Sequence, residues 1–485
     1  MDNRSKVFSN LIWRFFERGG SQLVSFVVSI VLARILDPEV YGIVSKVLVI
    51  TAILLVFVDS GMANALIQKK DPDDLDFSSV FYFNICFCLL LYVALFFAAP
   101  WVAAIYKEPD LVPIVRVLGL TLVFSGLKNV QQAYVSKTLQ FKRFFFATLG
   151  GTLFSAVLGI TMAKRGFGVW ALVAQQLSNV AVNTAILWFT VHWRPKRIFS
   201  WKRLGGLLSY GWKLLVASLI DQVYIKIYPL VIGIRYSSED IAFYEKGMNW
   251  PNLIVENINN SMDSVLLPVL SAEQDQRDRV REMTRRAIKT GTYIIMPLMA
   301  GLAACATPLV RLLMTGKWLP SVPYLQVFCI IYAFFPLHTA NLNAIKAVGR
   351  SDTFLVLEVI KRGLELVILL ITMRYGVFPM VLGLLVSELA SQGINAWPNK
   401  KLLNYPYAAQ LKDMAPSILL SLFMAACVFP VSLLGLRDWL TLLIQIPLGV
   451  LIYVVGSKLL KLDSFGYILS VAKKLIFGKK AGEPQ

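Results

Sequence analysis

Ionisable and amide side chains recur every three or four residues inside stretches of this sequence that are otherwise apolar. One stretch carries Arg14, Arg18, Ser21, Ser25 and Ser29 in that rhythm, with Glu17 and Gln22 beside them. Another runs Glu245, Asn249, Asn252, Glu256, Asn259 and Asp263 over about five helical turns. Shorter stripes are Ser125, Lys128, Asn129, Gln132 and Ser136; Gln175, Asn179 and Asn183; Asp221, Gln222 and Lys226; Thr339, Asn343 and Lys346; Glu358, Lys361, Arg362 and Glu365; and Glu388, Gln392 and Asn395. A charge at the centre of a bilayer costs on the order of 2.5–3.5 kcal/mol, so such residues face water or a partner. Arg and Lys bind phosphate, while amides and carboxylates bind sugar hydroxyls. The set suits a large, hydroxyl-rich, anionic ligand better than a small apolar one. The candidate cavity residues are Arg14, Glu17, Arg18, Gln22, Lys128, Gln132, Asn179, Gln222, Lys226, Asn252, Glu256, Lys361 and Arg362. Asp59, Asp221, Glu256 and Asp263 are candidates, by position alone, for coupling H+ or Na+.

Some of these charges have a purely structural reading. Glu17 with Arg14 or Arg18, and Glu358 with Lys361 or Arg362, are spaced to pair within one helix. Arg14, Glu245 and Lys346 lie near segment ends and can snorkel. The ensemble still exceeds what helix association uses, which is mostly Ser, Thr and Asn.

Composition excludes most other classes. Hydrophobic residues are 57% of the 485, and charged residues only 16%, too few for the surface of a soluble domain this long. The first apolar run contains Arg14, Glu17 and Arg18 and lacks a small-residue cleavage site, so it reads as a retained helix rather than a signal peptide. The net charge of +19 sits in loops beside apolar stretches, which points to anionic lipid headgroups and away from nucleic acid. The five cysteines lie inside apolar stretches without metal-ligand or redox spacing, and read as packing residues. His192 and His338 are too few for a metal cluster; His192 reads as interfacial and His338 as a satisfied polar residue on its helix. No metal or cofactor is expected. There is no G-x-x-x-x-G-K-[ST] loop, the carboxylates are dispersed, and the outer loops are short, all of which argue against an ATPase, a membrane glycosyltransferase or a ligase.

These residues need about fourteen membrane-crossing helices to hold them. The spans read near 11–35, 43–66, 78–103, 112–135, 144–164, 168–190, 211–235, 243–268, 287–308, 320–345, 353–374, 377–397, 413–434 and 438–458. A cytoplasmic N-terminus places roughly 30 Lys and Arg on the inner side against about 11 outside, and returns the C-terminus to the cytoplasm. The first six spans echo the next six. Trp13-Arg14, Gln22 and Glu39 recur as Trp212-Lys213, Gln222 and Glu239; Gly168-Val169 recurs as Gly376-Val377; Pro113 and Lys137 recur as Pro323 and Lys346. Duplicated bundles of this kind usually enclose a solute path. The expected organisation is an N-terminal lobe at 1–191, a cytoplasmic amphipathic linker at 192–210, a C-terminal lobe at 211–397, an interfacial linker at 398–412, two appended spans within 413–458, and a basic cytoplasmic tail at 459–485.

Trp13-Arg14, Glu17-Arg18 and Gln22, then Leu32-Ala33-Arg34-Ile35-Leu36-Asp37-Pro38 and Tyr41-Gly42, are followed by Ala63-Asn64-Ala65-Leu66-Ile67-Gln68-Lys69-Lys70, Gly168-Val169-Trp170-Ala171-Leu172-Val173 and Gly316-Lys317-Trp318. In that order and spacing the chain resembles the polysaccharide-transporter branch of the multidrug/oligosaccharidyl-lipid/polysaccharide exporter superfamily, the Wzx-type flippases of colanic and teichuronic acid. The resemblance implies an all-α polytopic membrane protein with two pseudo-symmetric six-helix lobes in a V and two C-terminal helices. It also implies an undecaprenyl-pyrophosphate-linked oligosaccharide as cargo, alternating access in a bacterial cytoplasmic membrane, and a polysaccharide polymerase and co-polymerase as partners. A lipid II flippase or a drug/cation antiporter of the same superfamily are the rival readings. Under the resemblance Arg14 and Arg18, one turn apart, are available to the pyrophosphate. Arg18→Ala, and less strongly Arg14→Ala, is expected to abolish glycan export at normal protein levels, with Arg→Lys rescuing only in part because a point charge lacks the bidentate fork. Full export by the double alanine variant at matched expression removes both from the mechanism.

Overall fold

The computed structural model describes residues 3–59 and 61–476, with side chains over 19–58, 61–209 and 211–470. Those residues form α-helices and two short 3-10 turns, with no strand among them. In chain order the helices are α1 (Asn3–Ile35), α2 (Pro38–Asp59), α3 (Met62–Gln68), α4 (Asp74–Tyr106), α5 (Leu111–Lys137), α6 (Lys142–Lys164), α7 (Val169–Thr190), α8 (Trp201–Arg235), α9 (Ser238–Ala272), α10 (Arg277–Ala304), α11 (Ala306–Met314), α12 (Val322–Ala333), α13 (Phe335–Ala347), α14 (Ser351–Thr372), α15 (Val377–Leu402), α16 (Tyr407–Val428), α17 (Asp438–Leu459) and α18 (Asp463–Ile476). Every span read from the sequence is helical. Ten helical segments among the described residues are long and apolar enough to cross a membrane. The other expected spans are α1, α7, α9 and α14, the helices with dense polar stripes; in α1 only Gly19–Ile35 is an apolar run. The chain is an all-α polytopic membrane protein.

Three spans are interrupted, the ninth of them at Cys305 between α10 and α11. Gly61, at φ 90°, separates α2 from α3, a backbone angle that suits glycine. Between α12 and α13 the helix breaks at Phe334, and Pro336 lies in the first turn of α13; its missing N–H and its ring cannot continue the α12 ladder.

Packing divides the chain inside α9, into compact units of residues 1–242 and 243–485. This partition differs from that of the internal repeat, because α8 packs on α2, α3 and α4. Residues 191–200 are not helical. They are stitched to the start of α4: the Lys196 and Ser200 backbone N–H groups donate to Ser78 Oγ and Ser79 Oγ, each at 3.0 Å. Trp193 Nε1 donates to Asp74 at 3.2 Å, and Lys196 Nζ sits 2.5 Å from the same carboxylate. Trp201 then opens α8, which runs unbroken through the seventh span.

In the first unit, Gly151 and Gly159 let α6 and α7 meet closely: a Cβ at Gly151 would lie 2.9 Å from the Asn179 carbonyl oxygen, and one at Gly159 2.9 Å from Gln175 Cβ. Lys46 of α2 is only 1% exposed, with its ammonium 2.6 Å from Glu108. Ser238 Oγ donates to the same Glu108 oxygen at 2.7 Å. Beside this cluster Gly42 presses on the first turn of α9, where a Cβ would fall 1.6 Å from the Ser238 carbonyl oxygen.

In the second unit, α10 packs along α16 and α12. Arg285 of α10 makes a two-pronged contact with Asp413 of α16, both bonds 2.7 Å, and Tyr405 OH donates to Asp413 at 2.8 Å. Asn341, Asn399 and Gln410, all fully buried, join α13, α15 and α16 through amide bonds of 2.7–3.0 Å. The two C-terminal spans are thus knit into this unit through α16. The described cysteines are free thiols, and Cys88, Cys305 and Cys329 are buried.

Gly42→Val is expected to force α2 off the start of α9 and to cost about 1–3 kcal/mol as an overpacked contact. Gly363→Ala, where nothing lies within 4 Å, should leave stability level or slightly raised. Thermal unfolding of the two purified variants in detergent checks this; equal melting temperatures overturn the contact.

Candidate functional site

The helix break before α13 sets up a polar cluster in the second unit. It turns His338, Thr339 and Asn343 in two directions. Thr339 Oγ1 donates to Asn259 at 2.5 Å and Asn343 Nδ2 to Asp263 at 2.7 Å. These two rungs, one turn apart on both helices, tie α13 to α9. His338 points to α15 instead. Its Nδ1 lies 2.8 Å from Asn395 Nδ2 and its Nε2 3.4 Å from Glu388. With Asn395 donating to Nδ1, the neutral imidazole carries its proton on Nε2, toward the carboxylate; this tautomer follows from the hydrogen-bond pattern. Asn395 is fully buried, and its Oδ1, like His338 Nε2, has no hydrogen-bond partner.

α14 supplies the other charges. Lys361 Nζ is 2.6 Å from Glu358, and Arg362 Nε is 3.6 Å from the same carboxylate, so the expected pairing within one helix occurs with both cations. Glu365, one turn on, is buried. α15 adds Gln392, buried and accepting from Tyr407 OH at 3.0 Å. Such an arrangement can move protons or bind polar groups, and it contains no nucleophile aligned with a base.

The other sequence candidates are spread more widely. In the first unit Lys128 and Gln132 of α5 are half-buried. Asn179 of α7 is half-buried and donates to Ser155 Oγ at 3.4 Å. Gln222 and Lys226 of α8 are half-buried, while Asp221 of α8 and Gln22 of α1 are exposed. In the second unit Asn252 donates to Glu256 at 3.2 Å, and Glu256 and Asp263 are exposed. The side chains of Arg14, Glu17, Arg18 and Asp59 lie outside the described residues. The structure therefore joins Lys361 and Arg362 through Glu358, and Asn252 to Glu256. The His338–Glu388 pair was not legible as a unit: the Glu388 stripe and the histidine are each visible, but fifty residues of sequence separate them.

Over residues 31–323 the chain matches the family described as polysaccharide biosynthesis protein. It is 22% identical over 350 residues to the succinoglycan biosynthesis transport protein ExoT of Rhizobium meliloti, covering 72% of this chain and 71% of that one. It is 26% identical to the teichuronic acid biosynthesis protein TuaB of Bacillus subtilis, over 62% of this chain and 63% of that one. It is 25% identical to the lipopolysaccharide biosynthesis protein WzxC of Escherichia coli, over 68% of each. The fold is shared with the lipid II flippase MurJ in an inward closed conformation, at a TM-score of 0.75 and 16% identity over 93% of this chain and 98% of that one. It is shared also with an inward-facing multidrug resistance transporter of the MATE family, at 0.62 and 14% over 81% and 96%.

Cysteine introduced at Glu256 or Asp263, in a background without the native five cysteines, is expected to react with a small water-soluble thiol reagent. Cysteine at the fully buried Val255 should not. Labelling at 255 with protection at 256 and 263 reverses the orientation of α9.

Proposed function

The chain belongs to the polysaccharide biosynthesis protein family, and from that premise we propose that it flips an undecaprenyl-pyrophosphate-linked oligosaccharide across a bacterial cytoplasmic membrane. It is a multi-pass membrane transporter, not an enzyme, of the superfamily that contains MurJ and the MATE proteins. The observation that carries the reading is the family match over 31–323. Within that frame the polar helices have an evident use. Cationic side chains can follow a pyrophosphate, and amides and carboxylates can exchange hydrogen bonds with successive sugar hydroxyls, so that neither needs to cross hydrocarbon unpartnered.

Arg14 and Arg18 would receive the pyrophosphate at the inner mouth, with both termini in the cytoplasm and the basic loops against anionic lipid. Release at the outer leaflet hands the glycan to a polymerase with its co-polymerase. The cycle is alternating access driven by an ion, H+ or Na+, for which Asp59, Asp221, Glu256 and Asp263 are the sequence candidates. A second reading, transport of lipid II, is favoured by the likeness in fold to MurJ.

Deletion of the gene, with extraction of lipid-linked sugars from cytoplasmic-leaflet-accessible pools, separates the two. Accumulation of an oligosaccharide repeat unit with lipid II unchanged is the expected result. Accumulation of lipid II alone transfers the assignment to cell-wall precursor transport, and accumulation of neither overturns the flippase reading.

A further inference from the structure

The two repeats place the same helices in the same order but distribute charge differently. In the first, α6 and α7 carry no ionisable residue between Phe144 and Ala163 or between Val169 and Thr190, and they pack through Gly151 and Gly159. Their counterparts α14 and α15 also meet at a glycine, Gly383, where a Cβ would lie 2.8 Å from Ile368 Cγ2. Yet α14 and α15 hold Glu358, Lys361, Arg362, Glu365 and Glu388. Joining this helix pair does not require charge, because the first repeat joins it without any. The charges of the second repeat answer to something else.

We infer that His338 and Glu388 form a proton-binding site, with Asn395 as its positioning residue. The inference rests on the transport reading for its use, and deepens it by making the coupling ion a proton and by assigning its site to residues outside the sequence candidates. In the state described, Asn395 Nδ2 faces His338 Nδ1, and the Nε2–H side faces Glu388. A proton taken from water adds to the Nδ1 lone pair and gives an imidazolium beside the Glu388 carboxylate; the net charge of the pair rises by one, and release returns the same proton. The new Nδ1–H needs an acceptor. Rotation of the Asn395 amide supplies its Oδ1, the fully buried atom that has no partner in the present arrangement. One amide thus serves both protonation states by exchanging its donor end for its acceptor end. The break between α12 and α13 immediately before His338 is the kind of interruption found at coupling-ion sites.

The charged and titratable groups around the pair are Glu358, Lys361, Arg362 and Glu365 on α14, Glu388 on α15, Glu256 and Asp263 on α9, and Tyr332 on α12. On α10, which meets α13 where Gly291 lies against Pro336, the stretch from Thr290 to Ala304 offers only Tyr293, already bonded to Ser457 at 2.9 Å. Lys361, bound to Glu358, adds positive charge to this surrounding, and Glu388, 3.4 Å from His338 Nε2, adds negative charge. Removal of either neighbour should therefore move the titration in opposite directions.

The chain has only two histidines, so the full-length protein labelled with 15N-histidine in lipid nanodiscs gives a direct readout. His192→Gln, in an exposed position, assigns the signals. From about pH 8 down to the acid limit of the folded protein, the Nδ1 resonance of His338 is expected to move from the unprotonated to the protonated range. Glu388→Gln should lower the midpoint by at least one unit, a tenfold loss of proton affinity, and Lys361→Met should raise it. A His338 signal constant over that range, or a midpoint indifferent to Glu388→Gln, overturns the site; the wild-type titration needs no variant to fold. Export of lipid-linked glycan by Glu388→Gln cells is the second arm, expected to be lost. If the cargo reading is wrong, deletion of the gene leaves lipid-linked sugars unchanged while the histidine still titrates. If the titration is absent while deletion blocks export, the flippase reading stands and the proton site falls.

Discussion

A charge or hydrogen-bonding group that leaves water must meet a partner, and in a chain this apolar nearly every feature follows from that requirement. Lys46 shows it most simply. Its ammonium is removed from solvent, at a desolvation cost of several kcal/mol before pairing, and it ends against Glu108, which also accepts from Ser238. For this to occur, Gly42 must let the start of α9 approach and the turn after α4 must bring the carboxylate back. About 200 residues later Lys246 is again buried, and its ammonium lies 5.6 Å from the centre of the Trp318 ring. Position 318 follows 108 by the same interval that separates Pro323 from Pro113. Duplication has kept the lysine and set it over an aromatic face, which also accommodates an ammonium.

The same requirement explains where amides are used instead of charges. Gln131, fully buried on α5, donates to the Trp193 carbonyl at 3.2 Å, and Trp188 Nε1 donates to the Leu127 carbonyl at 3.1 Å. Each bond closes a main-chain group at a helix end or flank that hydrocarbon could not solvate. The Asn341, Asn399 and Gln410 triad does so three helices at a time. These groups hold shape, whereas the groups around His338 bring a titratable ring against a carboxylate.

Hydropathy made the fold legible because a bilayer leaves a chain few options: each long apolar run had to be a helix, and each is. What hydropathy could not show is where helices stop and which side chains meet. α1 begins at Asn3, eight residues before the expected span, because helix formation is not confined to apolar residues. The stretch before Trp201 mixes Arg, Lys, Trp and Pro, a composition compatible with a surface helix; instead Ser78 and Ser79 capture its backbone N–H groups. Stripes predicted which faces are polar, and Glu358 found Lys361 and Arg362 because those contacts are local. The meeting of His338 with Glu388 depends on how α13 is rotated after the Phe334 break, which no local spacing encodes.

α8 joins the stitched segment to the body of its unit without a hinge. Its 35 residues make a rod about 52 Å long, against a hydrocarbon layer of about 30 Å, so some 20 Å of it must stand beyond the apolar slab. A tilt of ten degrees carries one end of such a rod about 9 Å relative to the other. The first residues of α8 are fastened beside α4 by the stitched segment. A tilt about that end is therefore felt most at the other, where Arg235 leads into the first turn of α9.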